Sequence, residues 1–347
     1  MRLKPIDEQA VVVFGASSGI GRAAALRFAQ RGARVVVSAR SAEALEGLVQ
    51  EIRAAGGEAV AIPAEASDPQ AVQALADGAA AAYGRIDTWV QLAGVGLWAR
   101  FAETTPEEWR RVIDVNLNGT AYAAMAALPH LRRSGGVLLL VSSTEAYVGM
   151  PYQGAYAASK HGIHGLVKAL RLEIRHEQLP ISLTEIMPSG INTPLFDKTR
   201  TKIGTKPMPP PPLYEPEIAA DAILYAAEHP VPELIVGGSG LLFSSLRRVS
   251  RGLSDGLISL AGFALQHTPD EKSKAAPDNL EQHLPGYDQV RGSLGPVTRS
   301  TSATTWLSTH PAACRALTGA VLGSAALMTY RALRGGAKAQ NGPEDAV

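Results

Sequence analysis

The chain has 347 residues, 46% hydrophobic and 19% charged, a composition that describes a globular protein with a large core. Its formal charge of +1 gives no electrostatic case for binding nucleic acid. The single cysteine, Cys314, permits no internal disulfide, and the N-terminus shows no secretion signal, so a cytoplasmic protein is expected.

Residues 10–14, Ala-Val-Val-Val-Phe, are apolar without polar alternation, which suits a parallel strand buried on both faces. Gly15 follows at once, in the run Gly15-Ala16-Ser17-Ser18-Gly19-Ile20-Gly21, and a helical pattern opens after Gly21. Strand, glycine turn and helix N-terminus make an anion cradle. Glycine lets the backbone turn tightly and approach a pyrophosphate, whose charge the free N–H groups and helix dipole favour.

A second apolar strand, 34–38, ends at Ala39-Arg40. In dinucleotide folds a carboxylate at this point binds the adenosine ribose and rejects a 2′-phosphate. Here Arg40 offers a planar fork of donors that can pair with that phosphate, so NADP(H) is expected over NAD. The competing reading makes Arg40 a solvated residue at the start of the next helix, with Ser41 as its cap.

Residues 86–90 read as a strand, and 137–141 as another that ends at Ser142-Ser143, on the carboxyl edge where open α/β sheets bind ligands. A helical stretch begins near Ala155. It carries Tyr156 and Lys160 four residues apart, hence on one face. A free phenol has a pKa of about 10, and a nearby ammonium would lower it toward useful acid–base catalysis. Ser143 could donate a hydrogen bond to the substrate oxygen. His161 and His164 are read as ordinary cleft or surface residues, and no metal site is expected.

The segment 195–213 has no pattern of its own, and its apolar Leu195, Phe196, Ile203 and Met208 hint at an apolar substrate. The last sheet strand is expected at 233–236. Beyond it, 241–263 reads as one basic amphipathic helix, 264–300 as a polar irregular linker, and 316–330 as an apolar segment shorter than a membrane span requires. The expected domains are a catalytic 1–240 and an extension 241–347, with membrane contact through that tail as one reading.

The spacing Gly-x-x-x-Gly-x-Gly, with Ser143, Tyr156 and Lys160, resembles the simple oxidoreductases of the short-chain dehydrogenase/reductase family. The resemblance covers about residues 8–240. It implies a Rossmann-like, doubly wound parallel sheet, here with a mainly helical C-terminal extension. It also implies a homo-oligomer that interconverts a small-molecule carbonyl and alcohol.

By resemblance, Lys160 contacts the nicotinamide ribose. Asn116, in Asp114-Val115-Asn116-Leu117-Asn118-Gly119, completes a proton relay. Cofactor contacts are implied at Gly15, Ser17, Ser18, Gly19, Ile20, Gly21, Arg40, Glu65, Ala93, Gly94, Pro188, Ile191 and Thr193, besides Tyr156 and Lys160. Departures include Phe14 for the usual Thr, Gln91-Leu92 for two asparagines, and Ser189 for a glycine. A nucleotide-binding sensor or scaffold without catalysis is the alternative, against which the intact Ser143, Tyr156 and Lys160 argue.

Overall fold

A computed structural model describes residues 2–295, 298–318 and 324. Met1–Thr305 and Trp306–Val347 are two separate compact units. In chain order the first unit opens with β1 (Ala10–Phe14), α1 (Gly19–Gln30), β2 (Arg34–Ser38), α2 (Ala42–Ala54), β3 (Glu58–Ala61), α3 (Pro69–Tyr83) and β4 (Thr88–Gln91). After β5 (Leu97–Trp98) come α4 (Pro106–Ile113), a π-helical turn (Asp114–Asn118), α5 (Gly119–Ser134), β6 (Gly136–Val141), α6 (Gly154–His176) and β7 (Ile181–Pro188). Then follow α7 (Leu195–Lys198), β8 (Arg200–Thr201), β9 (Thr205–Pro207), β10 (Leu213–Tyr214), α8 (Pro216–Glu228) and β11 (Glu233–Val236). The described chain ends with α9 (Gly238–Val249), α10 (Arg251–Ala261), β12 (His267–Glu271), β13 (Thr298–Arg299) and α11 (Ala303–Thr309).

Seven parallel strands form one sheet in the order β11-β7-β6-β4-β1-β2-β3. The chain winds outward in both directions from β1 and β4, so the crevice at their carboxyl ends is the place where such sheets bind ligands. The apolar runs have the expected cause. Along β1, Val11 and Val13 enter one core layer, while Val12 and Phe14 enter the other. Each buried valine contributes about 1.5–3 kcal/mol relative to exposure. Phe14, in place of a threonine, packs edge-to-face on Trp89 with centroids 6.4 Å apart. Gln91 leaves its buried side-chain amide without a partner among the described residues, at a cost of about 1–3 kcal/mol.

The later chain departs from the sequence reading in three places. Residues 241–263 do not form one helix. Ser250 is extended (φ −150°, ψ 109°), which breaks the hydrogen-bond ladder, and its Oγ caps α10 by accepting from Leu253 N. Leu253, Leu257 and Leu260 are 54%, 44% and 83% exposed, so the apolar stripe of α10 is not buried on the domain. No helix among the described residues is long and apolar enough to cross a membrane, and most of 316–330 lies outside the described residues.

Second, residues 195–213 are not patternless. Two- and three-residue ladders join β8 to β5, β9 to β12 and β10 to β13. Phe196 and Leu213 form a small core with Trp98 and Leu294, against which Ile203 and Met208 pack. Third, residues 264–300 are polar in composition but do not behave as a linker. Leu280 is fully buried in one layer of the main core, and Leu294 closes the small one. Buried leucines, backbone hydrogen bonds and ion pairs such as Arg200–Asp278 hold this segment on the catalytic unit.

Candidate active site

The glycine turn is as tight as the residue type allows. Gly15 has φ +103°, and a Cβ there would meet Ala93 N at 2.6 Å. A Cβ on Gly21 would lie 2.1 Å from Gly15 O. The side chain of Ser18, which precedes α1, does not cap the helix. The helix N-terminus therefore keeps donors for an outside anion.

A cavity of about 220 Å³ runs from this turn to the middle of the sheet edge. It is lined by Gly15, Ser17, Ser18, Gly19, Ile20, Gly21, Arg40, Glu65, Ala93, Gly94, Pro188, Ile191 and Thr193, and at its far end by Ser143, Tyr156 and Lys160. Except for Asn116, every residue expected to bind the cofactor or take part in catalysis thus lies on one surface. These residues fit a nicotinamide dinucleotide, with an uncapped anion-binding turn at one end and a phenol, a hydroxyl and an ammonium at the other.

Ser143, Tyr156, Ser189, Leu195 and Phe196 also line a second cavity of about 80 Å³. Its other walls include Trp98, Val148, Met150, Pro209 and Pro210, with Glu145 and Gln153 as polar members. The serine and tyrosine stand at the junction of the two cavities.

Ser143 Oγ accepts from Glu145 N at 3.1 Å, makes a long contact of 3.5 Å with Pro188 O, and is within hydrogen-bonding reach of the Tyr156 hydroxyl, so its proton is weakly committed to the backbone. Lys160 Nζ donates to Val141 O at 3.1 Å and lies 5.4 Å from the Tyr156 ring centroid. Burial lowers Lys160 to about 8, while Glu145 and Glu185 act in the opposite direction. The expected lowering of the Tyr156 phenol does not occur. Burial and the Glu145 carboxyl push it above its ordinary value, and the Ser143 hydroxyl only partly offsets them.

Asn116 is fully buried and does not line the cavity. Its side chain accepts from Val95 N at 2.8 Å and donates to Val95 O at 3.0 Å and to Ser159 Oγ at 3.2 Å. It therefore braces the strand β4 exit against α6, from within a π-helical turn of the kind that recurs at functional sites. His164 is buried, not a surface residue. Among the described residues it meets Glu185 and Glu233, with potential ligand atoms within 4.8 Å of one another. Glu185 accepts from Ser142 Oγ and His164 Nδ1, while Glu233 takes the Tyr147 hydroxyl, so these carboxylates serve one another's neighbours.

At the adenosine end, Glu65 binds Ser67 and the Arg111 guanidinium. Burial would raise its carboxyl, but those bonds and the charges of Arg111 and Arg40 hold it below the ordinary range. Ser41 is the helix cap it was read to be, accepting from Ala44 N at 3.2 Å. Arg40 is not a solvated residue. Its Nη1 donates to Glu281 O at 3.0 Å and its Nη2 to Asn279 O at 2.8 Å.

Sequence reasoning missed several polar residues of these cavities, among them Lys198, Asn279, His283 and Glu145. Lys198 Nζ donates to Ser18 Oγ at 2.8 Å, and burial lowers it to about 8. Asn279 and His283 reach the larger cavity from the C-terminal segment. Glu145 lies two residues after Ser143, and burial raises it to about 8. Only Glu145 carried a local signal, since it lies two residues after the serine. The other three are brought in by chain folding.

A family profile described as short chain dehydrogenase matches residues 9–204. The chain is 33% identical over 291 residues to the uncharacterized oxidoreductase YxnA of Bacillus subtilis, covering 83% of this chain and 80% of that one. A match of that extent must reach about residue 288, well into the C-terminal segment. It is 40% identical over 190 residues to 3beta-hydroxysteroid dehydrogenase 1 of Eggerthella lenta, covering 53% and 71% of the two chains. The alcohol dehydrogenase of the archaeon Thermococcus sibiricus, solved with 5-hydroxy-NADP, superposes with a TM-score of 0.58 at 27% identity. That superposition covers 65% of this chain and 94% of that one. The chain belongs to the short-chain dehydrogenase/reductase family. It is a nicotinamide-dinucleotide-dependent oxidoreductase that acts on CH–OH groups, and it takes small-molecule substrates.

Proposed function

We propose that this enzyme interconverts a carbonyl and an alcohol on an apolar substrate with NADP(H), and that Tyr156 transfers the proton. The observation that carries the reading is the position of Ser143 and Tyr156 at the junction of the two cavities. A cofactor in the larger cavity and a substrate in the smaller one would meet at these two hydroxyls.

The cofactor supplies or accepts the hydride. Ser143, whose proton is weakly committed, donates to the substrate oxygen and holds it beside the phenol. Tyr156 stays protonated in its buried surroundings and so is ready to protonate a developing alkoxide, a far stronger base than phenolate. The Lys160 ammonium offsets negative charge on the tyrosine oxygen after transfer, and Asn116 keeps α6 in register with the strand ends.

Preference for NADP(H) over NAD is supported by two cations, Arg40 and Lys198, on one cavity wall that lacks the ribose-binding carboxylate at position 40. Two of the five Arg40 donors are committed to backbone carbonyls, which leaves others for a phosphate. An apolar substrate is supported by Trp98, Phe196, Met150 and the prolines, and by relatives named for steroids and for versicolorin. A screen of bulky ketones and their alcohols, following NADPH absorbance, tests the reading. No turnover with any of them in a protein that binds NADPH would count against it.

The exposed apolar stripe on α10, next to Arg247 and Arg251, supports contact of this face with a membrane interface. Fractionating cells that express the full chain tests this, and an entirely soluble distribution would refute it.

A further inference from the structure

The larger cavity has an outer wall that comes from outside the family-matched region. Residues 279–289 cross its mouth. Arg40 donates to Asn279 O and Glu281 O, Asn279 N donates to Lys198 O at 2.9 Å, and Arg111 Nε donates to Leu280 O at 2.9 Å. Gly19 N, in the glycine turn itself, donates to Gln289 O at 3.0 Å. The segment is therefore fastened at both ends to residues of the dinucleotide cleft, and the fully buried Leu280 pins its N-terminal end.

Within this wall Asn279 is 5% exposed and lines the cavity, yet its Oδ1 has no hydrogen-bond partner among the described residues. An unpaired buried amide oxygen is costly, so a donor is expected to complete it. The neighbours of Asn279 place it at the Arg40 end of the cavity: Arg40 donates to its carbonyl, its own N–H donates to Lys198 O, and His283 feels the charges of both Lys198 and Arg40.

We propose that Asn279 is a cofactor-binding residue, and that residues 279–289 form a strap that closes the adenosine end of the dinucleotide site. The Asn279 Oδ1 accepts from a ribose hydroxyl or the adenine amino group, the donors that an adenosine moiety carries. The backbone of the strap holds Arg40 in place, which leaves its remaining donors facing the cavity. This inference rests on nicotinamide-dinucleotide binding, and it does not depend on which of the two dinucleotides is preferred.

The test is binding, not turnover. ADP-ribose and nicotinamide mononucleotide are titrated into the full-length protein by calorimetry, with wild type and Asn279→Ala side by side. The expected result is roughly tenfold weaker ADP-ribose binding in the variant, unchanged mononucleotide binding and an unchanged melting temperature. Equal ADP-ribose affinity in a folded variant would overturn the proposal. Hydrogen exchange on the wild-type chain supplies a second readout should the variant not fold: ADP-ribose should slow exchange across 277–291, and unaltered exchange there overturns the strap. A wild-type protein that binds no ADP-ribose would defeat the underlying cofactor reading, together with this one.

Discussion

The two walls of the dinucleotide cleft are tied together by hydrogen bonds such as Gly19 N to Gln289 O, but they are built on different principles. The inner wall is local. A strand, three glycines and a helix start lie within a dozen residues, and steric exclusion fixes their shape: a Cβ on Gly21 has no room beside Gly15 O. The outer wall is remote. Arg40 and Glu281 are 241 residues apart, and the segment that joins them has no periodic pattern. Its place is set by a few buried side chains and backbone carbonyls, which any polar sequence could supply in principle. The comparison teaches that residue type is demanding where backbone approaches backbone, and permissive where carbonyls do the binding.

The largest effect should come from the inner wall. Tyr156→Phe removes the transferable proton and little volume, so turnover should fall by about 100- to 10,000-fold while NADPH binding stays near normal. Steady-state kinetics with a fluorescence titration measures both, and near-wild-type turnover in a folded variant would sink the proton-transfer role.

The outer wall should fail by losing its anchor. Leu280→Ala empties a fully buried site and should destabilise the strap by about 2–5 kcal/mol. Exchange and proteolysis of 277–291 should rise, with the central sheet little affected. Uniform loss of stability across the sheet would show that the two walls are one cooperative unit.

Arg40 joins the walls. Arg40→Ala should erode a preference for NADPH over NADH by about 10- to 100-fold in kcat/KM, the size of a charge-assisted contact. An unchanged ratio would make Lys198, or the strap, the source of any preference.

The smallest effect concerns pH. Glu145 is raised to about 8 by burial, so it is protonated in the native state and ionised in the unfolded chain between about 4.5 and 8. The folded protein then binds more protons, and stability contributed by this group falls as pH rises through that window. Glu145→Gln should flatten this decline in thermal unfolding. It should also shift the alkaline limb of the pH profile of kcat/KM, because an ionised Glu145 raises the Tyr156 phenol. A profile unchanged by the substitution would show that Glu145 does not titrate beside the tyrosine.

The sequence by itself determined the doubly wound sheet, the glycine turn and the alignment of Tyr156 with Lys160. Each depends on residues within one strand–turn–helix unit or on one helix face, where spacing converts directly into geometry. Only the tertiary structure decided three further matters. Burial and Glu145 raise the Tyr156 phenol instead of Lys160 lowering it, because pKa reports every neighbour and not the nearest charge in sequence. Lys198, His283 and Asn279 join the cofactor cavity although no motif marks them. Residues 264–295, polar enough to read as a linker, became a wall of the site because Leu280 and Leu294 found buried places. Contacts over more than two hundred residues are paid for by loop closure and secured by shape, and neither leaves a periodic trace in the chain.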